Sequence, residues 1–96
     1  MKGDDFSQKV ERAFVDMIAE RAEKDDIRKG KFAALVWPEM SPKAAASRWT
    51  SVRTKAFNTG KPQSVTIADA QRMAAAIGKD LSYLMAIALE RASEQK

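Results

Sequence analysis

Apolar residues recur at steps of three and four along most of this chain. Phe6, Val10, Ala13, Phe14, Met17, Ile18 and Ala22 share one side of a helical wheel, which predicts an amphipathic helix of about five turns from Asp4 to about Lys24. Asp4 and Asp5 suit its start, by capping and by their place at the positive end of the helix dipole. Glu20 and Lys24 pair at i,i+4 spacing on its outer face. The run Asp25-Asp26-Ile27-Arg28-Lys29-Gly30 reads as a charged break. A short helix then runs from Lys29 or Lys31 to Val36, with Phe32, Leu35 and Val36 as its buried face. It ends there because Pro38 pushes Trp37 out of the helical region. Trp37-Pro38-Glu39-Met40 is a turn, with Met40 set to tuck inward.

Ser41 is a good N-cap and Pro42 fits the first helical turn, so a helix is expected from Ser41 to Phe57. With Trp49 at the centre of its buried side, Pro42, Ala45, Ala46, Val52, Arg53 and Ala56 fall within about 60° of it. The far side carries Lys43, Ala44, Ser47, Ser51 and Thr54, flanked by Arg48 and Lys55. This outer face is small, hydroxylated and basic, and no acid stands between Lys43 and Lys55. It has the chemistry of a helix that meets the base edges and phosphates of a DNA major groove. On this wheel Lys43 and Arg48 both lie off the buried face, so their removal is expected to cost little stability.

Residues 58–64 form a loop by composition. Thr66 followed by Asp69 reads as a variant of the capping box. A fourth helix then carries Ile67, Ala70, Met73, Ala74 and Ile77 on one face and ends at Gly78. A fifth starts at Asp80 and buries Leu81, Leu84, Met85, Ala88 and Ala92. Tyr83 and Ile87 make a smaller apolar pair off that stripe, suited to the core or to a dimer interface. No alternating strand pattern appears. The expected fold is all-α: one compact bundle of about five helices spanning residues 1–96, with a helix-turn-helix over about residues 29–57.

Charge changes the picture. Residues 1–27 hold five Lys/Arg against eight Asp/Glu, and residues 62–96 hold four of each. Residues 28–61 hold eight Lys/Arg against the single acid Glu39. The positive charge thus gathers around the Ser41–Phe57 helix, as a phosphate-binding surface requires. With neither cysteine nor histidine in the chain, disulfides, thiolate sites and the commonest general base and metal ligand are absent. No metal, cofactor or catalytic role is expected, and the protein is not read as an enzyme. No apolar run reaches membrane-spanning length, and no signal-peptide core follows Met1-Lys2-Gly3-Asp4-Asp5. A cytoplasmic protein is expected.

The order of parts now has a likeness. Phe32-Ala33, Met40-Ser41-Pro42, Ser47-Arg48-Trp49, Gly60-Lys61-Pro62, Met73-Ala74-Ala75-Ala76-Ile77-Gly78 and then Leu81 and Leu84 follow one another over roughly residues 10–90. This resembles the Cro/repressor-type helix-turn-helix family, the lambda-repressor-like DNA-binding domains of phage and bacterial regulators. The resemblance implies that Phe32, Ala33 and Trp49 hold the two motif helices together. It places base-reading candidates at Lys43, Ala44 and Arg48, with Ser47 and Ser51 beside them. Phosphate candidates are Arg28, Lys29 and Lys31 at the start of the first motif helix, with Thr54, Lys55 and Lys61 beyond the second.

The expected function is sequence-specific binding of double-stranded DNA by a homodimeric transcriptional regulator. A small helical protein-interaction module, an adaptor or antitoxin-like partner, is the alternative. Trp37, at a helix end before proline, fits either semi-buried packing or ligand contact. Arg28, Lys29 and Lys31 fit either phosphate contact or simple solvation.

Overall fold

The computed structural model describes residues 5–54 and 64–94. Five helices follow in order: α1 (Asp5–Lys24), α2 (Lys29–Val36), α3 (Pro42–Arg53), α4 (Ile67–Ala76) and α5 (Leu81–Glu94). No strand occurs among the described residues. The molecule is an all-α bundle, as the apolar spacing predicts. No described helix is long and apolar enough to cross a membrane. Asp4, Lys55, Phe57, the 58–63 part of the loop and Lys61 lie outside the described residues.

Helix ends follow local chemistry. α1 closes in a Schellman arrangement: Ile27 N–H donates to the Ala22 carbonyl at 2.8 Å and Asp26 N–H to Glu23 at 3.0 Å. This puts Asp26 in the left-handed region at φ 66, a conformation Asp tolerates better than most residues. α2 begins at Lys29, the earlier of its two expected starts, so Lys29 and Gly30 leave the break for the helix. α4 closes the same way, with Gly78 at φ 68 and Lys79 N–H on the Ala74 carbonyl at 2.9 Å. Ser41 Oγ accepts from Ala44 N–H at 3.1 Å, and Thr66 Oγ1 from Asp69 N–H at 3.0 Å. Both are the N-caps expected.

α1 packs against α5, α2 against α3 and α4, and α4 against α5. Val10 and Phe14 of α1 border the same apolar cleft as Leu81 and Met85 of α5. Further on, Glu20 meets Arg91 at 3.1 Å, so the two helices run in the same direction. Phe32, Ile18, Met73, Leu84, Val15, Val36 and Val52 are the largest fully buried side chains. Phe32 lies against Trp49, with ring centres 4.8 Å apart and planes tilted by 52°. This aromatic pair joins α2 to α3 and adds about 0.5–1.5 kcal/mol beyond the area it buries.

Several apolar positions lie outside, contrary to the wheel. Leu35 is 48 % exposed, Met40 36 %, Phe6 46 % and Ile67 82 %. Tyr83 is exposed too, while Ile87 is partly buried and packs on the core. Val15, absent from the expected stripe of α1, is fully buried. Three-and-four spacing identifies a face, but only the neighbouring helices decide how much of it is covered. Leu35 and Met40 instead border an open groove facing α4 that no side chain fills.

Candidate nucleic-acid interface

The buried side of α3 consists of Ala45, Trp49 and Val52. Its centre lies about 30° from Trp49, toward Ala45 and Val52, at 100° per residue. That rotation decides which residues face solvent. Lys43, Ser47, Thr50 and Thr54 are exposed and fall within about 60° of one another. Ala44 and Ser51, both base-reading candidates, are half-buried at the edge of this line. Thr50 was not expected there. Centring the wheel on the three small and large core residues together, rather than on the tryptophan alone, would have found it.

Arg48 has a different place. Its Nη2 donates to Asp69 Oδ2 at 2.9 Å, and its guanidinium carbon lies 5.2 Å from the centre of the Trp37 ring. Trp37 in turn donates its indole N–H to Asp69 Oδ1 at 3.0 Å. Asp69 is 4 % exposed, the one buried charged residue in the described core, and Arg72 approaches it to 4.0 Å from the next turn of α4. Burial by itself pushes the Asp69 carboxyl up. Hydrogen bonds from Trp37 and Arg48, the Arg48 charge and Thr66 outweigh this and hold it below the ordinary carboxylate range. A buried carboxylate with a full set of partners is stable; one stripped of its cation is not. Arg48 therefore does not lie off the packed surface, and its removal is not the mild change the wheel suggests. The pairing joins residues 21 positions apart, and nothing in local spacing announces it. Trp37 is settled as a packed residue, 3 % exposed.

The other arginines near α3 are also committed. Arg53 sits with its guanidinium carbon 5.8 Å from the Trp49 ring centre, its stem along the core as expected for a long amphipathic side chain. Arg12 of α1 donates Nη1 to the Val52 carbonyl at 2.7 Å, closing the last turn of α3. The preceding residue, Glu11, accepts from Val65 N–H at 3.0 Å, so adjacent residues of α1 hold the end of α3 and the approach to α4.

Arg28, Lys29 and Lys31 are exposed at the start of α2. Arg28 is the N-cap but makes no side-chain cap bond, and the first turn holds no acid. Arg28 and Lys29 share a cleft with Arg53, which places them beside the C-terminal end of α3, while Lys43 stands at its other end. Thr54 is exposed and donates its hydroxyl to the Thr50 carbonyl at 2.8 Å. The phosphate candidates Lys55 and Lys61 lie outside the described residues. No group of His, Cys, Asp or Glu able to hold a metal ion occurs among the described residues.

Comparison of the chain with protein-family models, with curated proteins and with solved structures finds no match.

Proposed function

We propose that this protein binds double-stranded DNA sequence-specifically, as a transcriptional regulator of the repressor or Cro kind. In this reading α2, the Trp37–Met40 turn and α3 act as a helix-turn-helix. α3 enters the major groove, and the start of α2 meets the phosphate backbone. The observation that carries it is the outer line of α3: a lysine and three hydroxyl residues in solvent, without an acid. The exposed cations Arg28, Lys29 and Lys31 stand at an acid-free helix N-terminus, where both backbone N–H groups and side chains favour a phosphate. A homodimer in the cytoplasm, reading two half-sites about 10 base pairs apart, completes the proposal.

Selection of bound sites from a random duplex library with the purified protein tests it. A defined site is expected, with affinity falling steeply in salt at a log–log slope of about −0.9 per phosphate neutralised. Failure to enrich any site would remove the reading. One observation favours a second one. Leu35, Pro38 and Met40 line an open groove of about 470 Å³ between the turn and α4, a surface suited to another protein. If no site is enriched, the interaction module becomes the better account.

A further inference from the structure

Resting on the DNA-binding reading, we propose that Thr50 sets base preference at one position of the site by favouring an A·T pair, and that Arg48 reads no base. Lys43, Ser47 and Thr50 of α3 face away from the bundle, as does its C-cap Thr54. Ser47 and Thr50 are separated by about 4.5 Å along the helix axis at 1.5 Å per residue. That is a little more than the 3.4 Å spacing of base pairs, so the two hydroxyls address neighbouring steps.

What Thr50 offers a groove follows from where its proton goes. Its Oγ1 donates to the Ala46 carbonyl at 3.1 Å, as Thr54 does to Thr50 itself. This back-bonding is an ordinary habit of threonine in a helix. With the donor turned inward, the hydroxyl presents lone pairs outward, next to the Cγ2 methyl group. An outward acceptor suits an exocyclic amino donor, and the methyl beside it suits a base methyl on the same pair. In the major groove an A·T pair alone supplies both, through adenine N6 and the thymine C5 methyl. A G·C pair supplies an amino group on cytosine but no methyl.

Arg48 is the residue that a guanine-reading account would choose, because arginine on guanine is the commonest specific contact. Its guanidinium is instead held against Trp37 and Asp69, on the α4 side of the helix. It lies about 140° around α3 from Lys43 at 100° per residue. Swinging it to the outer face would strip the buried Asp69 of its closest cation.

The test compares site preferences of the wild type, Thr50→Ala and Arg48→Met, selected from one duplex library well below each protein's melting temperature. Thr50→Ala removes hydroxyl and methyl together at an exposed position, and alanine is the better helix former. Preference for A·T at a single position is expected to fall roughly five- to tenfold, a single-contact share of base discrimination. Preferences elsewhere in the site stay as they were. Arg48→Met keeps the stem over Trp37 but not the charge. It is expected to lower the melting temperature and to leave every base preference in place. A preference lost in Arg48→Met and kept in Thr50→Ala would overturn the inference while leaving the DNA-binding reading intact. A wild type that enriches no site would remove both, and that outcome is distinct from the other two.

Discussion

α1 and α5 meet along an apolar seam, whereas α4 is tied to α2 and α3 through a buried carboxylate. In the first contact the ion pair Glu20–Arg91 lies at the surface, with side chains 63 % and 40 % exposed. In the second, Asp69 is buried and receives Trp37 and Arg48 together. An apolar seam is non-directional and degrades by degrees as atoms are removed. A buried ionic one has a required geometry and fails when one partner goes. The proposed reading helix is thus held by two unlike contacts, its packing on α2 through Phe32 and Trp49 and the Arg48–Asp69 pair to α4, and the second restricts its rotation.

The largest expected effect lies in the apolar packing of α2 on α3. Trp49→Ala empties the space against Phe32 and is expected to cost roughly 3–5 kcal/mol of stability, measured by thermal or denaturant melts. A cost below about 1 kcal/mol would mean that α3 is not anchored by this pair. Next in size is the ionic contact. Arg48→Ala is expected to cost about 1–3 kcal/mol, since it leaves Asp69 short of its cation. In a double-mutant cycle with Asp69→Ala the two changes should be clearly non-additive. Additive losses would show that the contact is no more than two separate packing terms.

A smaller effect is expected in acid. Asp69 is held low in the folded protein, so the stability it contributes is complete above its unfolded value of about 4. That contribution disappears as pH falls through the lower folded value. Asp69→Asn should therefore flatten the acid limb of the stability curve below about pH 4. Asp80, held low by Ser82 and by the Tyr83 N–H, remains to supply part of that limb. An unchanged limb in Asp69→Asn would detach the carboxylate's charge from the contact. The smallest effect belongs to the other seam: Glu20→Gln is expected to change stability by less than about 1 kcal/mol, as for an exposed pair. A larger loss would erase the distinction between the two regions.

The elements that depend on neighbours in sequence were legible from the chain. Ser41 and Thr66 cap their helices, Pro38 ends α2 and Gly78 closes α4 because each acts on backbone groups within a few residues. What depends on distant neighbours was not. Leu35, Ile67 and Phe6 have helical spacing, and Met40 was set to tuck inward from the turn, yet no neighbouring element covers them. The Asp69 carboxylate, expected to serve its own capping box, reaches across to Trp37 and Arg48. The outer line of α3 was found in part: Lys43, Ser47 and Thr54 stand where the wheel put them, Ala44 and Ser51 lie at its edge, and Thr50 enters through a rotation of about 30°. A wheel centred on the bulkiest residue assumes that this residue points straight at the core, and Trp49 points to one side of it.

The two tryptophans, both 3 % exposed, also give the packing of α2 on α3 and the carboxylate knot separate optical reporters. Arg48 lies over Trp37 at 5.2 Å and Arg53 over Trp49 at 5.8 Å, so each indole has a cation of its own. Trp37 additionally hands its N–H to a carboxylate, and the electric field across its ring changes whenever that carboxylate takes a proton or Arg48 departs. Because the chain holds no third indole, replacing Trp49 by Phe leaves an indole emission that belongs wholly to the carboxylate knot. The reverse replacement, at Trp37, leaves one that belongs to the packing of α2 on α3. Opening of the knot and loss of the core thereby become distinguishable events in a single unlabelled molecule.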